Sequence, residues 1–182
     1  LDPDSLPGPA RGNVSTFVTP EYGWDALAPF LASADERITA AVYDLTSTDL
    51  ASIVAERARD GVVVRLLVED DVVGLSDDGR SWRDSLLSGL AAAGAEVFTT
   101  APMEERVRHR PYRYHHEKCC VVDGRAFMVT SENWGSSSFP PNPDGATYAN
   151  RGWGAGNKTF RPTAASSRHS PGRKDDVRTA SS

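Results

Sequence analysis

Two segments of the same kind constrain the fold more than any other feature of this sequence. In each, a helical pattern ends at a glycine and passes directly into a strand pattern. Residues 50–61 carry apolar side chains at helical spacing, and the near-continuous apolar run Val62–Val68 follows. Residues 82–94 repeat the arrangement, and a strand pattern over 96–100 follows them. Strands that alternate with helices imply right-handed βαβ crossovers, so the sequence predicts an α/β fold with a mixed, mainly parallel sheet flanked by helices.

The other predicted elements lie before and after these two segments. The predicted order is β-α-β-α-β-α-β, followed by an antiparallel hairpin. Asp25 is the predicted cap of the first helix, and Thr46–Asp49 offers caps for the second. The predicted bounds at the start of the domain are strand 14–18, helix 25–34 and strand 37–45.

Length and composition indicate one domain with irregular ends. At 182 residues, 39% of them hydrophobic and 25% charged, the chain is long enough for one core and too short for two comfortable domains. Residues 1–11 are predicted to form an irregular lead-in, residues 12–155 the domain, and residues 156–182 a disordered basic tail. A strand pattern starts near residue 150, but the sequence predicts that this strand does not form in full.

No apolar run is long enough to span a bilayer, and no signal-peptide pattern opens the chain. The expectation is therefore a soluble protein without an integral membrane segment. Its localisation stays open, either cytoplasmic or exported with a signal that is missing from this chain.

Residues 116–133 are the strongest candidate for chemistry, and they predict a β-hairpin. An apolar strand begins at His116 and Lys118, an Asp-Gly turn follows, and a second apolar strand ends in Ser and Asn. Side chains alternate between the two faces of a strand, so His116 and Lys118 share one face and His115 points to the other. A nucleophile and a cation therefore begin the first strand together.

The register of this hairpin decides which other groups join them. An even-numbered loop at Asp123-Gly124 places Val122 across from Arg125. Ser131 and Asn133 then lie on the face of the histidine, and four groups converge at one strand edge. Asp123 lies at the turn, away from that edge. A loop longer or shorter by one residue breaks this register.

Charge and residue usage give weaker signals. The net charge is −5, but residues 158–182 hold six basic and two acidic residues, leaving fourteen against twenty-three elsewhere. Residues 1–157 are thus strongly acidic, which is not typical of a protein that coats nucleic acid without sequence preference. The Arg-rich segment 102–114 is either a basic rim that attracts a phosphate-bearing substrate or an ordinary solvated loop. No Cys/His cluster has metal-ligand spacing, so no metal or cofactor is predicted.

The spacing His116-x-Lys118-x4-Asp123, followed by Ser131-x-Asn133, resembles the HKD signature of the phospholipase D superfamily. The element pattern is similar to one β-α-β-α-β-α-β-β half of that fold, and with a single motif it resembles Nuc-type endonuclease domains. The resemblance implies metal-independent hydrolysis of a phosphodiester, either phospholipid or nucleic acid. It implies no cofactor.

The resemblance also implies a role for each residue of the motif. His116 is the expected nucleophile, which forms a phosphohistidine intermediate, and Lys118 is expected to bind the non-bridging phosphate oxygens. Ser131 and Asn133 are expected to add neutral donors to the same phosphate. Asp123 completes the catalytic signature, although its predicted place at the turn favours a structural or indirect role over that of a general base.

Two positions depart from the family pattern. Thr130 stands where members usually have Gly, and Gly152 stands where many have a Glu that holds the nucleophilic His. Glu132 and Asp144 are the carboxylates that could substitute. The departure at 152 supports an alternative hypothesis, in which the chain is an inactive or truncated half-domain that binds phosphate groups or a partner without catalysis.

The chain has four histidines but one HKD motif. The resemblance implies two such units in a complete site, because one His attacks while the other protonates the leaving group. A second HKD unit is therefore expected from another chain, either in a homodimer or as the other half of a longer protein.

Overall fold

The computed structural model describes residues 12–100 and 114–157, and these contain seven strands and three α-helices. The strands are Ser15–Thr19 (β1), Arg37–Val42 (β2), Val63–Val68 (β3), Glu96–Thr99 (β4), Lys118–Val122 (β5), Ala126–Thr130 (β6) and Gly152–Gly156 (β7). The helices are Gly23–Ala32 (α1), Thr48–Arg59 (α2) and Asp77–Ala92 (α3). The predicted lead-in, almost all of the Arg-rich segment and the basic tail from residue 158 lie outside the described residues.

The described strands form one sheet in the order β1-β7-β6-β5-β2-β3-β4. This confirms the α/β class and the mixed sheet. The prediction of a mainly parallel sheet is wrong for the pairings, because β2–β3 and β3–β4 are parallel and the other four pairs are antiparallel. The reason is that β5, β6 and β7 lie between β1 and β2, so β1 runs in the same direction as β2 without being its neighbour.

The strand β7 forms where the sequence predicted an incomplete strand. It lies between β1 and β6 and pairs with both. A Cβ atom at Gly154 would lie 2.1 Å from the ring of Phe17 in β1, so the glycine makes room for that core side chain. Pairing along both edges stabilises this Gly-rich strand, and Gly156, predicted as the first tail residue, is its last residue.

The predicted glycine stops and one predicted cap are confirmed. Gly61 follows α2 with φ of +91°, and Gly94 follows α3 with φ of +103°, a conformation that favours glycine. The Ser47 hydroxyl caps α2 by accepting the Leu50 N–H at 3.3 Å. The sequence thus fits the ends of α2 and α3 at three separate positions.

The predicted start of α1 is wrong by two residues. The helix begins at Gly23, and Asp25 lies in its first turn instead of capping it. The chain turns directly from β1 into α1, because the Tyr22 N–H donates to the Val18 carbonyl at 3.0 Å. This tight connection leaves no room for the longer loop that the prediction assumed.

The three helices pack side by side over one face of the sheet. α1 contacts β1, α2 contacts β3 and α3 contacts β4, and the side chains between them form the core. The opposite face is exposed in the described part of the chain, so β3 is buried on one face only. Its large apolar side chains are 36–56% exposed: Val18, Val63, Phe98, Val121, Phe127, Val129 and Trp153. No helix in residues 12–100 or 114–157 is long and apolar enough to cross a membrane.

The predicted hairpin is formed by β5 and β6, but its register differs from the prediction by one residue. Val122 pairs with Ala126 and not with Arg125, because the loop contains the three residues 123–125. The first two loop residues have φ of +54° and +64°, as in a type I′ turn. Arg125 is an extra residue beyond that turn, and its carbonyl accepts the Asn157 amide at 3.0 Å.

This shift changes the face on which β6 ends. Cys119 pairs with Val129, so Thr130 continues the ladder opposite Lys118. Ser131 follows on the opposite face. The predicted convergence of Ser131 and Asn133 with His116 on one strand face is therefore wrong, for the reason that a loop longer by one residue reverses the alternation.

Candidate active site

The candidate site lies where β5 begins beside the carboxyl end of β2. Lys118 Nζ is 3.0 Å from His116 Nδ1 and 3.0 Å from the His116 carbonyl oxygen. The ring centroids of Tyr43 and His116 are 4.7 Å apart, and Lys118 Nζ is 5.3 Å from the Tyr43 centroid. His116 is exposed, whereas Lys118 is buried. The structure thus brings together an imidazole, an ammonium group and an aromatic ring.

The surroundings of His116 disfavour its positive charge. Burial lowers the pKa of His116, and the positive charge of Lys118 lowers it further. A neutral imidazole has the free lone pair that nucleophilic attack needs. These surroundings therefore keep His116 neutral over a wider range of pH than an ordinary histidine.

Lys118 is a buried cation with one nearby carboxylate that supports its charge. Burial lowers the pKa of Lys118, and the negative charge of Glu132 raises it in part. The Ser131 and Ser138 hydroxyls lie 3.4 Å from Glu132 Oε1 and Oε2, respectively. The Glu132 carboxylate is thus held by two hydroxyl groups, although the sequence marked it only as a candidate substitute carboxylate.

Asp123 lies at the hairpin turn, at the far end of β5 from Lys118, as predicted. Its Oδ1 accepts the N–H groups of Glu36 at 2.8 Å and Arg37 at 2.9 Å, and its Oδ2 accepts the Asp35 N–H at 3.3 Å. The Arg37 N–H, followed by the other two, holds the pKa of Asp123 far below its ordinary value. These contacts tie the turn to the start of β2 and give Asp123 a structural place in the fold.

Ser131 and Asn133 lie next to the site but do not contact its reacting groups. The Ser131 hydroxyl accepts the Trp153 N–H of β7 at 2.9 Å. Asn133 Oδ1 is buried without a hydrogen-bond partner in the described part of the chain. Within residues 12–100 and 114–157, no hydrogen bond joins either residue to His116 or Lys118. Their role as phosphate ligands stays a prediction.

His115 is buried, although the strand alternation predicted only that it points away from His116. It is 7% exposed, and its ring lies against the Glu117 carboxylate. Its backbone N–H donates to Glu69 Oε2 at 2.9 Å, and Glu69 Oε1 also accepts the Thr100 hydroxyl at 3.0 Å. His115 is therefore part of the buried support of the site, and His116 is the exposed histidine among residues 12–100 and 114–157.

A buried ion pair supports the same edge of the sheet. Arg83 Nε of α3 is 3.1 Å from Asp44 Oδ1, and the Arg83 guanidinium also donates to the Glu69 carbonyl. The Asp44 carbonyl accepts the Trp134 N–H at 3.0 Å, and the Trp134 carbonyl accepts two N–H groups at the start of α2. These bonds tie the loop after β6 to the segment between β2 and α2.

Sequence reasoning missed Tyr43 altogether and the place of Glu132 in part. Tyr43 lies in the predicted strand 37–45, just after the end of β2, where the carboxyl ends of parallel strands often carry functional groups. Its position relative to the hairpin could have marked it as a candidate. Glu132 could not be placed, because its position depends on the register of β6 and on Gly152.

Comparisons with known proteins relate the chain to one family. The family model described as "Cardiolipin synthase, PLD-like domain" matches residues 27–147. No curated protein matches the sequence. Among solved structures, Nuc from Salmonella typhimurium, a phospholipase D family member, is 16% identical, with a TM-score of 0.60 over 79% of this chain and 81% of that one.

Two further solved structures share the fold. NucT from Helicobacter pylori is 18% identical, with a TM-score of 0.59 over 79% of this chain and 84% of that one. Phosphatidylserine synthase from Haemophilus influenzae Rd KW20 is 14% identical, with a TM-score of 0.51 over 79% of this chain and 34% of that one. At these identities the likeness concerns the fold.

Proposed function

The chain belongs to the phospholipase D superfamily through its PLD-like domain, and from this we propose that it hydrolyses phosphodiesters through a covalent intermediate on His116. The observation that carries the proposal is the 3.0 Å contact between His116 and the buried ammonium group of Lys118. His116 is exposed, and its lowered pKa favours the neutral imidazole. A nucleophile beside a cation is the arrangement that attack on an anionic phosphorus needs.

The proposed reaction has two displacement steps. His116 attacks phosphorus, a nitrogen–phosphorus bond forms, and the bond to the leaving oxygen breaks. The leaving oxygen takes a proton from a general acid, for which we propose His116 of the partner subunit in its protonated form, so that one copy reacts neutral and the other charged. Water, deprotonated by that same group, then attacks phosphorus, breaks the nitrogen–phosphorus bond and releases a phosphomonoester. Lys118 stabilises the non-bridging oxygens in both steps.

The contact between Lys118 and His116 implies a change on substrate binding. While the charged Lys118 donates to Nδ1, the proton of the neutral ring lies on Nε2, and a protonated Nε2 cannot attack. A phosphate oxygen offers the ammonium a stronger, charged acceptor. When the Lys118 ammonium group donates its hydrogen bond to the phosphate instead of to Nδ1, the ring proton can move to Nδ1. The unprotonated Nε2 then becomes the nucleophile. Binding of the phosphate would therefore activate the histidine.

Pairing of two chains completes the proposed site. His116 is the exposed histidine of residues 12–100 and 114–157, and His115 is buried, so the described part supplies one reacting imidazole. The apolar, exposed face of the sheet supports association, because large uncovered apolar patches mark interaction surfaces. We propose a homodimer in which both copies of His116 serve one reaction.

Covalent trapping tests the nucleophile and the substrate class together. A panel of phospholipid, DNA, RNA and small diesters is mixed with the protein, the reaction is quenched, and the phosphorylated residue is identified by mass spectrometry. An adduct on His116 is expected, and it is expected to be absent in His116→Ala and present in His115→Ala, the matched control. Activity that survives His116→Ala, or that disappears with a chelator, would overturn the proposed chemistry.

Mixing experiments test the shared site. His116→Ala chains are exchanged into wild-type dimers in varying proportion, and turnover is measured. If both copies of His116 serve one reaction, activity follows the square of the wild-type fraction. A linear fall would show that one chain is sufficient. Exchange with His115→Ala provides a control, since this variant keeps the reacting histidine.

A second candidate function is binding of phosphate groups without catalysis. The observation in its favour is the engaged Ser131 hydroxyl, which accepts the Trp153 N–H and lies 3.4 Å from Glu132. Sedimentation at micromolar concentration separates the two. A strict monomer that binds inorganic phosphate and leaves every diester intact would support the non-catalytic function.

A further inference from the structure

Gly152 and Glu132 compete for the same space. A Cβ atom at position 152 would lie 2.3 Å from Glu132 Cγ, 2.5 Å from Glu132 Oε1 and 2.6 Å from the Ser131 hydroxyl. Contacts this short between non-bonded atoms do not occur in folded proteins. The conformation of Glu132 therefore requires glycine at 152, and a side chain there would displace the carboxylate.

The carboxylate in that space is held from two sides. The Ser131 and Ser138 hydroxyls donate to its two oxygens, and Ser138 is 1% exposed. The Thr130 hydroxyl donates to the Glu132 carbonyl at 2.9 Å, which fixes the backbone at the same residue. The contacts are short-range and local, so the position of the carboxylate is set by the loop after β6 and not by a substrate.

The strand register places this carboxylate near Lys118, because Thr130 continues the ladder opposite Lys118 and Glu132 is two residues further along the chain. Three segments place groups near Lys118. His116 lies on its own segment, the ring of Tyr43 lies at the end of β2, and the charge of Glu132 comes from the loop after β6. Burial disfavours the ammonium form, and Glu132 favours it. Asp144, the other carboxylate that the sequence offered, lies in an exposed 3-10 turn.

We propose that Glu132 is the positioning carboxylate of this site, that it directs Lys118 toward His116 and the phosphate, and that Gly152 is the space that admits it. The inference rests on the proposed function and deepens it. Position 152 and position 132 form one unit, in which the carboxylate reaches the site from the β6 side and the β7 side leaves room.

The first test compares charge with size at position 132. Glu132→Gln keeps the size and loses the charge, and Glu132→Asp keeps the charge on a shorter stem. Without the charge, Lys118 loses its proton at lower pH, so the alkaline limb of kcat/KM is expected to move to lower pH in Glu132→Gln and to change little in Glu132→Asp. At pH 8–9 the loss in Glu132→Gln is expected to be up to about tenfold for each unit by which the pKa of Lys118 falls. Asp144→Asn is the control and is expected to match the wild type.

The second test is a double-mutant cycle between the two positions. Gly152→Ala alone is expected to move the alkaline limb as Glu132→Ala does, because the new methyl group displaces the carboxylate. In the Glu132→Ala background, Gly152→Ala is expected to add little, since the contact has been removed. Additive effects would mean that 152 and 132 act separately, and would overturn the proposal.

Binding of inorganic phosphate, measured by calorimetry from pH 6 to pH 10, gives a readout that does not require turnover. Weakening of binding at alkaline pH in Glu132→Gln, but not in Glu132→Asp, supports the role of Glu132. An identical pH dependence in Glu132→Gln and wild type refutes it, even if His116→Ala is inactive and the proposed function stands. Failure of the covalent trap with intact phosphate binding would instead count against the proposed function alone.

Discussion

Replacement of Asp123 by Ala should destabilise the protein without impairing its chemistry, although Asp123 belongs to the catalytic signature. Its carboxylate accepts three backbone N–H groups, two of them at 2.8 and 2.9 Å, and its side chain is 5% exposed. Two charge-assisted bonds at about 1.5 kcal/mol each contribute about 3 kcal/mol. An alanine at φ of +54° adds about 1 kcal/mol of strain, so we expect a loss of about 4 kcal/mol.

Asp123→Asn is the matched variant. Asparagine tolerates the same backbone conformation and keeps one acceptor oxygen for the two short bonds, so the expected loss is about 1–2 kcal/mol. The pH dependence separates charge from shape. The pKa of Asp123 is lowered in the folded state, so its stabilisation is complete above the ordinary value of 3.8 and is lost as pH falls further. The difference between wild type and Asp123→Asn should therefore be constant near pH 7 and shrink below pH 4.

Urea unfolding followed by circular dichroism measures both losses of stability. The value of kcat/KM is measured without urea, at a temperature at which each variant is folded. We expect kcat/KM per folded molecule to stay within about threefold of wild type. The reasoning would be refuted by an Asp123→Ala protein that unfolds at the wild-type urea concentration but has lost its activity. Such a result would place Asp123 in the reaction despite its distance from Lys118.

Three further predictions concern other parts of the fold. Gly154→Ala should cost about 2–3 kcal/mol, because its Cβ would lie 2.1 Å from the Phe17 ring, and Phe17→Leu should recover part of this in urea titrations. Arg83→Leu should lower the free energy of unfolding by about 3–5 kcal/mol, because it leaves the Asp44 carboxylate buried without its cation. Asp44 can then be protonated, so the measured loss of stability should be smaller at pH 4 than at pH 7. Lys118→Met should raise the His116 pKa toward its ordinary 6.5, because a neighbouring positive charge is removed. A proton NMR titration of the imidazole measures this shift, and an unchanged midpoint would contradict the reasoning.

The parts of the fold that could be predicted from the sequence are those set by local preferences. Gly61 and Gly94 have left-handed backbones that the residue type itself favours, and both end their helices as predicted. The alternation of strands and helices gave the class of the fold for the same reason. The antiparallel insertion of β7 could not be predicted, because a strand of alternating glycines is stabilised by its neighbours and not by its own side chains.

The contact between His116 and Lys118 was predictable from the sequence, whereas the geometry around them was less so. His116 and Lys118 are separated by one residue, and the structure places them 3.0 Å apart. The predicted register of Ser131 and Asn133 was wrong because the loop has one more residue, Arg125. The carbonyl of Arg125 accepts a hydrogen bond from Asn157, more than thirty positions away. Likewise, the place of Glu132 depends on a glycine twenty positions later. Contacts of this range leave no periodic pattern in the sequence.

The buried indole of Trp134 gives the protein an optical probe of its own site. Trp134 is 1% exposed and its backbone holds the loop after β6, whereas Trp82 and Trp153 are each 56% exposed. Iodide quenches the emission of exposed indoles, so the blue-shifted light that remains in its presence comes from the buried environment. Trp24 of α1 is also partly buried, so in a Trp24→Phe variant the intensity and wavelength of the remaining emission should follow the opening of the loop after β6 separately from the unfolding of the rest of the sheet.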